Sequence, residues 1–137
     1  MLRAMTTVKW IGHEDAIALV RGIIAVAAKD GGSPVTVAVS GADGVPLALE
    51  RMDGAPGLGV NMVIAKLHTS IVGIKDTIER HGKGVDPSNY NDPAITTFGG
   101  GVTLRDQGRV FGAIAVSGRT PEEDHRLADE ARRSLGT

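Results

Sequence analysis

Residues 99–131, GGGVTLRDQGRVFGAIAVSGRTPEEDHRLADEA, hold four signals in a row: a triple glycine, a hairpin, a long apolar strand and a capped helix start. Asp106-Gln107-Gly108 is a polar, glycine-terminated turn between strands expected at 102–105 and 109–116. Those flanks are rich in Val, Leu, Phe and Ile with few charges, the composition of a strand covered on both faces. Thr120 is placed to accept the backbone N–H of Glu123 while the Glu123 carboxylate reaches back to Thr120, a capping box, with Pro121 at the first helical position. The helix begun there presents Leu127, Ala128, Ala131 and Leu135 to a core.

Working outward, Ala16, Ile17, Leu19, Val20, Ile23, Ile24 and Ala27 follow helical spacing from His13 to about Lys29. Glu14 and Asp15 suit the first turn of that helix and Lys29 the last, before Asp30-Gly31-Gly32-Ser33-Pro34 breaks it. Strands are expected at 35–40 and 45–51 around Gly41-Ala42-Asp43-Gly44, with Pro46 marking an edge position or a bulge. In the second helix Val60, Val63, Ile64, Leu67, Ile71, Ile74 and Ile78 form one apolar face over about five turns. A second stripe, Met62, Ala65, Thr69 and Val72, is open to another subunit. His81 and Gly82 close this helix, and residues 83–98 form a long loop of the kind that is usually functional or mobile. The order is α-β-β-α-β-β-α, an α+β fold with helices packed on an antiparallel sheet of four or five strands.

The bulk numbers narrow the function. The 137 residues suit one domain, 1–137, with 1–11 a loose lead-in and Met5 a second candidate start. A net charge of −1 gives no drive toward nucleic acid or a membrane surface, and one Trp, one Tyr and two Phe are too few for a base-stacking platform. With no Cys there is no disulfide, thiolate nucleophile or Cys-ligated metal. No signal-type or membrane-length apolar run occurs, so a cytoplasmic protein is expected, with neither nucleic acid nor membrane as partner.

VTVAVSGADGVPLALERMDGA at 35–55, IAKLHTS at 64–70 and the stretch from Gly99 to Asp124 resemble the GlcG/HbpS-like family, the DUF336 or haem-degrading domain. The same domain forms the C-terminal part of PduO-type cobalamin adenosyltransferases. The resemblance runs from about Ile11 to Leu135, and its most specific parts are Arg51-Met52-Asp53-Gly54 and Gly112–Gly118 with Asp124 six residues on. It implies a profilin-like α-β-α fold, homo-oligomers that are often octamers, and haem, iron or corrinoid-related ligands in a setting of small-molecule catabolism. The chain departs from the pattern at Gly41, where aspartate is usual, and at His68 and Ser70 in the family's K-A-x-T-A run.

Several residues carry candidate chemistry. Gly99-Gly100-Gly101 can offer successive N–H groups to a carboxylate or haem propionate, or simply supply positive φ before a strand. Arg51 offers a fork for a carboxylate, with Asp53 to hold it; the pair is equally an internal salt bridge. Lys66 and Thr69 share a helix face, where Lys66 would bind an anion or, desolvated, act as a base, against the plainer role of a snorkelling surface lysine. His13, His68, His81 and His125 are the only nitrogen ligands for haem iron, with His13 and His68 the two to test. Asp76 and Glu79 form a D-x-x-E pair on one helix face, resembling the iron-binding acidic pair of some haem-binding members, though Lys75–Glu79 and Asp76–Arg80 also have salt-bridge spacing. Asp124 is a general base or a charge at a helix N-terminus, and in the family lies near the glycine loop.

Three functions are expected from these readings, one of them a purely structural or assembly role in a catabolic complex. The first is an oligomeric small-molecule-binding protein that takes haem, with a histidine as axial ligand. The second is a cofactor-independent lyase, isomerase or hydrolase for a small carboxylated catabolite. In it Arg51 and Gly99–Gly101 hold the carboxylate and Lys66, His68 or Asp124 moves a proton, with Arg51, Lys66 and His68 in one loop-covered polar pocket.

Overall fold

The computed structural model describes residues 1–84 and 86–136; Val85, within the loop expected over 83–98, and Thr137 lie outside the described residues. The elements are α1 (His13–Lys29), β1 (Thr36–Ser40), β2 (Pro46–Arg51), α2 (Leu58–Gly73), β3 (Gly101–Asp106), β4 (Arg109–Ser117) and α3 (Pro121–Ser134). Two 3-10 turns, Thr77–Glu79 and Pro87–Tyr90, lie between α2 and β3. This is the α-β-β-α-β-β-α order expected from the sequence.

The sheet has four strands in the order β2-β1-β4-β3, with every neighbouring pair antiparallel. Pro46 satisfies both readings of its position: β2 is an edge strand, and the register slips where Pro46 faces Ser40. Period-2 alternation divides the sheet by side-chain size. Val37, Val39, Val102, Leu104, Ile114 and Val116 pack with α1 and α3, while Ala38, Ala113 and Ala115 face Val63 and Leu67 of α2. Short side chains on that second face let α2 lie close to the sheet. Gly59 sits so near Thr36 that a Cβ there would stand 3.0 Å from its hydroxyl.

Two helices differ in detail from expectation. α2 stops at Gly73, and Ile74 takes a left-handed conformation (φ 54°), so the five-turn helix ending at His81 is not formed. Of its expected apolar face only Val63 and Leu67 are fully buried, whereas Ile64 and Ile74 are exposed. The inward face is instead Val63, Lys66, Leu67 and Ser70, because Lys66 and Ser70 find buried partners there. The stripe left for another subunit changes likewise: Thr69 is buried, and Leu58, Ile64 and Val72 are the exposed apolar residues of α2. In α3 the Thr120 hydroxyl accepts the Glu123 N–H as expected, but the Glu123 carboxylate accepts from that hydroxyl rather than from the backbone. Leu127 and Ala128 are buried, and Leu135 is exposed.

The triple glycine is built for close approach. Gly100 has φ +125°, and a Cβ there would stand 2.8 Å from Lys66 Nζ and 2.9 Å from Asp124 Cβ, and would overlap the Val116 carbonyl. Gly100→Ala is therefore expected to lower stability by more than about 2 kcal/mol in urea unfolding. Gly22→Ala, at a helix-interior glycine with nothing near its missing Cβ, should raise stability by about 0.5–1 kcal/mol. Equal effects at the two positions would contradict the close-approach role.

Candidate functional site

Lys66 is the one Lys, Arg, Asp or Glu of α2, and it is buried. Its stem runs past Gly100, and Nζ donates to the Val116 carbonyl at 2.8 Å and to Asp124 Oδ2 at 3.3 Å. Both side chains of the ion pair are 3% exposed, and Asp124 Oδ1 accepts the backbone N–H of Arg119 at 3.0 Å. Burial pushes the Lys66 ammonium below the ordinary lysine value, opposed by the adjacent carboxylate. Burial likewise pushes the Asp124 carboxyl up, opposed by Lys66 and Arg119. The expected snorkelling surface lysine is thus corrected: this ammonium is sealed between α2, β4 and α3. Arg119 continues the link, donating to Ser33 O at 2.9 Å and pairing with Asp30 at 2.6 Å, which ties the start of α3 to the end of α1 and holds the Asp30 carboxyl at about 2.

The remaining polar groups of this region are engaged in the same joint. Gly101 N–H donates to Thr77 Oγ1 at 2.9 Å, and Gly99, Gly100 and Gly101 are all buried, so the three glycines do not present an open N–H cradle. Thr69 donates to Ala65 O and accepts the Thr96 N–H at 2.9 Å, anchoring the end of the long loop. Ser70 donates to Lys66 O at 2.8 Å.

The expected pocket of Arg51, Lys66 and His68 is not assembled. Lys66 and His68 are two residues apart on a helix, which places them on nearly opposite sides. His68 Nε2 lies 2.6 Å from Asp92 of the long loop, and that ring holds the Asp92 carboxyl below the usual range. Arg51 stands at the exposed end of edge strand β2 and donates through Nε to Ala55 O at 2.9 Å. Asp53 is exposed and makes no ion pair with Arg51 among the described residues. The partner of His68 was not legible in the sequence, since Asp92 reads there only as a turn former in Asn91-Asp92-Pro93.

Asp76 and Glu79 do not share a helix face. Asp76 caps the turn Thr77–Glu79, and the Glu79 carboxylate accepts the Asp76 N–H at 3.1 Å. Arg132 grips both Asp76 oxygens at 2.8 Å, and Thr103 N–H adds a bond of 3.0 Å. With its oxygens so engaged Asp76 joins α3 to β3, and no metal cluster of three or more His, Cys, Asp or Glu groups occurs among the described residues. The expected Lys75–Glu79 and Asp76–Arg80 pairs are also absent among the described residues.

The histidines separate by environment. His81 lies after α2 rather than closing it, 3.6 Å from Glu122, and His125 has a buried Nδ1 without a partner. His13 is exposed on the first turn of α1 and has no hydrogen bond or ion pair among the described residues. Ile17, one turn along the same side of α1, is exposed too. Just before His13, the Trp10 indole lies on Gly41 so closely that any Cβ at 41 would collide with the ring. That contact explains why glycine occupies the head of the first hairpin turn, and it places an exposed aromatic beside the start of α1.

A family model described as haem degrading protein HbpS-like matches residues 11–133. The chain belongs to this family. A 15.0 kDa protein of Citrobacter freundii from the dhaT-dhaS intergenic region is 31% identical over 104 residues, covering 72% of this chain and 73% of that protein. The crystal structure of HbpS superposes with a TM-score of 0.85 at 25% identity, over 100% of this chain and 99% of that one. The PduOC:heme complex superposes with a TM-score of 0.78 at 23% identity, over 91% and 94%. In this HbpS-like chain Lys66, the triple glycine and Asp124, which the sequence suggested as a ligand site, meet as one buried joint.

The joint is tested by a mutant cycle. Lys66→Met and Asp124→Asn each leave one buried charge unpaired and should each lower unfolding free energy by about 3–5 kcal/mol. The double variant should fall well short of their sum, because both charges are gone. Additive losses below about 1 kcal/mol each, read from urea midpoints, would contradict the pairing.

Proposed function

We propose that this chain is a homo-oligomeric haem-binding protein in which His13 supplies the axial ligand. The observation that carries the reading is the state of the four imidazoles: His13 alone is both exposed and free of hydrogen bonds and ion pairs among the described residues. A free imidazole beside exposed Trp10 and Ile17 fits a planar, largely apolar macrocycle, which needs one nitrogen for iron and apolar surface for its faces. Family membership and the likeness to a haem complex support the same reading. His68 suits iron less well, since its Nε2 is committed to Asp92. Haem would supply the redox or ligand-binding chemistry; this chain's part is to offer the imidazole and to shield one face of the ring.

The family resemblance extends the proposal to a cytoplasmic assembly of identical subunits, octameric by that resemblance, serving small-molecule catabolism. No specific observation favours the lyase, isomerase or hydrolase reading, because its three polar groups do not share a pocket.

Haem titration at micromolar protein should develop a Soret band that His13→Ala abolishes and His68→Ala retains. A spectrum unchanged by haem would contradict the function, and loss of the band only in His68→Ala would move the ligand.

A further inference from the structure

Between α1 and α3 runs an apolar groove of about 700 Å³ that shares only Trp10, at its lip, with the surface proposed above for haem. Ala18, Gly22 and Val26 of α1 form one wall, and Leu127, Ala131 and Leu135 the other. Gly22 has nothing within 4 Å of where a Cβ would stand, so the groove floor is open there. Asp15 and Glu130 lie on its lining; Asp15 has no ion pair among the described residues, and Glu130 has only an exposed contact with Arg126 at 3.2 Å.

The chain also carries a segment with the opposite character. Residues 1–10 form neither helix nor strand, and Met1, Leu2, Met5 and Val8 are all exposed, Leu2 at 77% and Met5 at 85%. In an extended course Leu2, Ala4, Thr6 and Val8 fall on one side, and Arg3 and Lys9 fall on the other with Met5 and Thr7. Neither cation has an ion pair among the described residues. The segment starts from the lip of the groove at Trp10 but lies along the β3–β4 hairpin, where Thr7, Val8 and Lys9 line a second cavity with Arg105 and Arg109. To enter its own groove it would have to reverse direction at Ile11, whose N–H is bonded to Phe111 O at 3.1 Å.

We infer that the α1–α3 groove receives the N-terminal arm, residues 1–9, of a second copy of this chain. Apolar Leu2, Ala4 and Val8 fill the groove, and Arg3 and Lys9 meet Asp15 and Glu130 at its rim. Length permits it: nine extended residues span about 30 Å, and the stretch of α1 from Gly12 to Val26 rises about 21 Å. The inference rests on the self-association proposed above and gives it a specific contact.

The absence of native cysteine makes the test clean. The Ala4→Cys and Ala18→Cys variants of the 137-residue chain are purified separately, mixed, and oxidised, with native mass spectrometry recording assembly beforehand. A disulfide-linked mixed dimer should form at least tenfold more than in the pairing of Ala4→Cys with Lys75→Cys, an exposed position off the groove. Equal yields in an assembled protein would overturn the arm contact while leaving self-association standing. A monomer at micromolar concentration would overturn both. A double variant, Ala4→Cys/Ala18→Cys, that closes only within single chains would assign the groove to the chain's own arm and overturn the exchange.

Discussion

Lys66 and Asp124 meet across a gap that only glycine can leave open. The ammonium comes from α2 on one face of the sheet and the carboxylate from the first turn of α3 on the other, and they touch where Gly100 has no side chain. Desolvation disfavours both charges, so the pair persists only because each has further partners: Val116 O for the amine, Arg119 N–H for the acid. Other contacts extend from this joint. Arg119 carries it to the end of α1, and Arg132, gripping Asp76, closes α3 onto the turn after α2. α2 is thereby locked to α1 and α3, which pack together on the opposite face of the sheet.

The same constraint explains how α2 is oriented. Hydrophobic periodicity alone points Ile64 and Ile74 inward, yet both are exposed and Lys66 is buried. Rotating the helix to bury them would withdraw Lys66 from Asp124 and open the alanine face of the sheet to side chains it has no room for. A helix that spends a buried position on a lysine leaves apolar surface outside. Leu58, Ile64 and Val72 are that surplus surface.

Most of the fold was legible because local signals agree with one another. The Thr120 cap, the Asp106-Gln107-Gly108 turn and the Pro46 edge are written in short runs of residues, and each stands where its chemistry places it. The end of α2 was not legible: the isoleucine spacing continues through Ile78, and the stop at Gly73 comes from tertiary contacts, Arg80 packed on Gly73 and Arg105 donating to Ile74 O. Of the candidate residues, only Lys66, the glycine run and Asp124 meet, and they do so as a buried joint, while Arg51, His68 and Asp76 make separate contacts. Lys66, Gly100 and Asp124 do come together, as their place in the family pattern suggested, but side chains at i and i+2 on one helix diverge, so His68 cannot join them. Pairings such as His68 with Asp92 or Asp76 with Arg132 join residues 24 and 56 apart in sequence, and no local pattern announces them.

Lys66 is a sealed structural cation and not a base facing a ligand. Brief acylation of the native protein with an amine-selective reagent, followed by peptide mass spectrometry, tests it directly across the five lysines. Lys9, Lys29, Lys75 and Lys83, all exposed, should be modified while Lys66 stays free until denaturant is added. Modification of Lys66 in the native protein at a rate matching Lys75 would contradict the account.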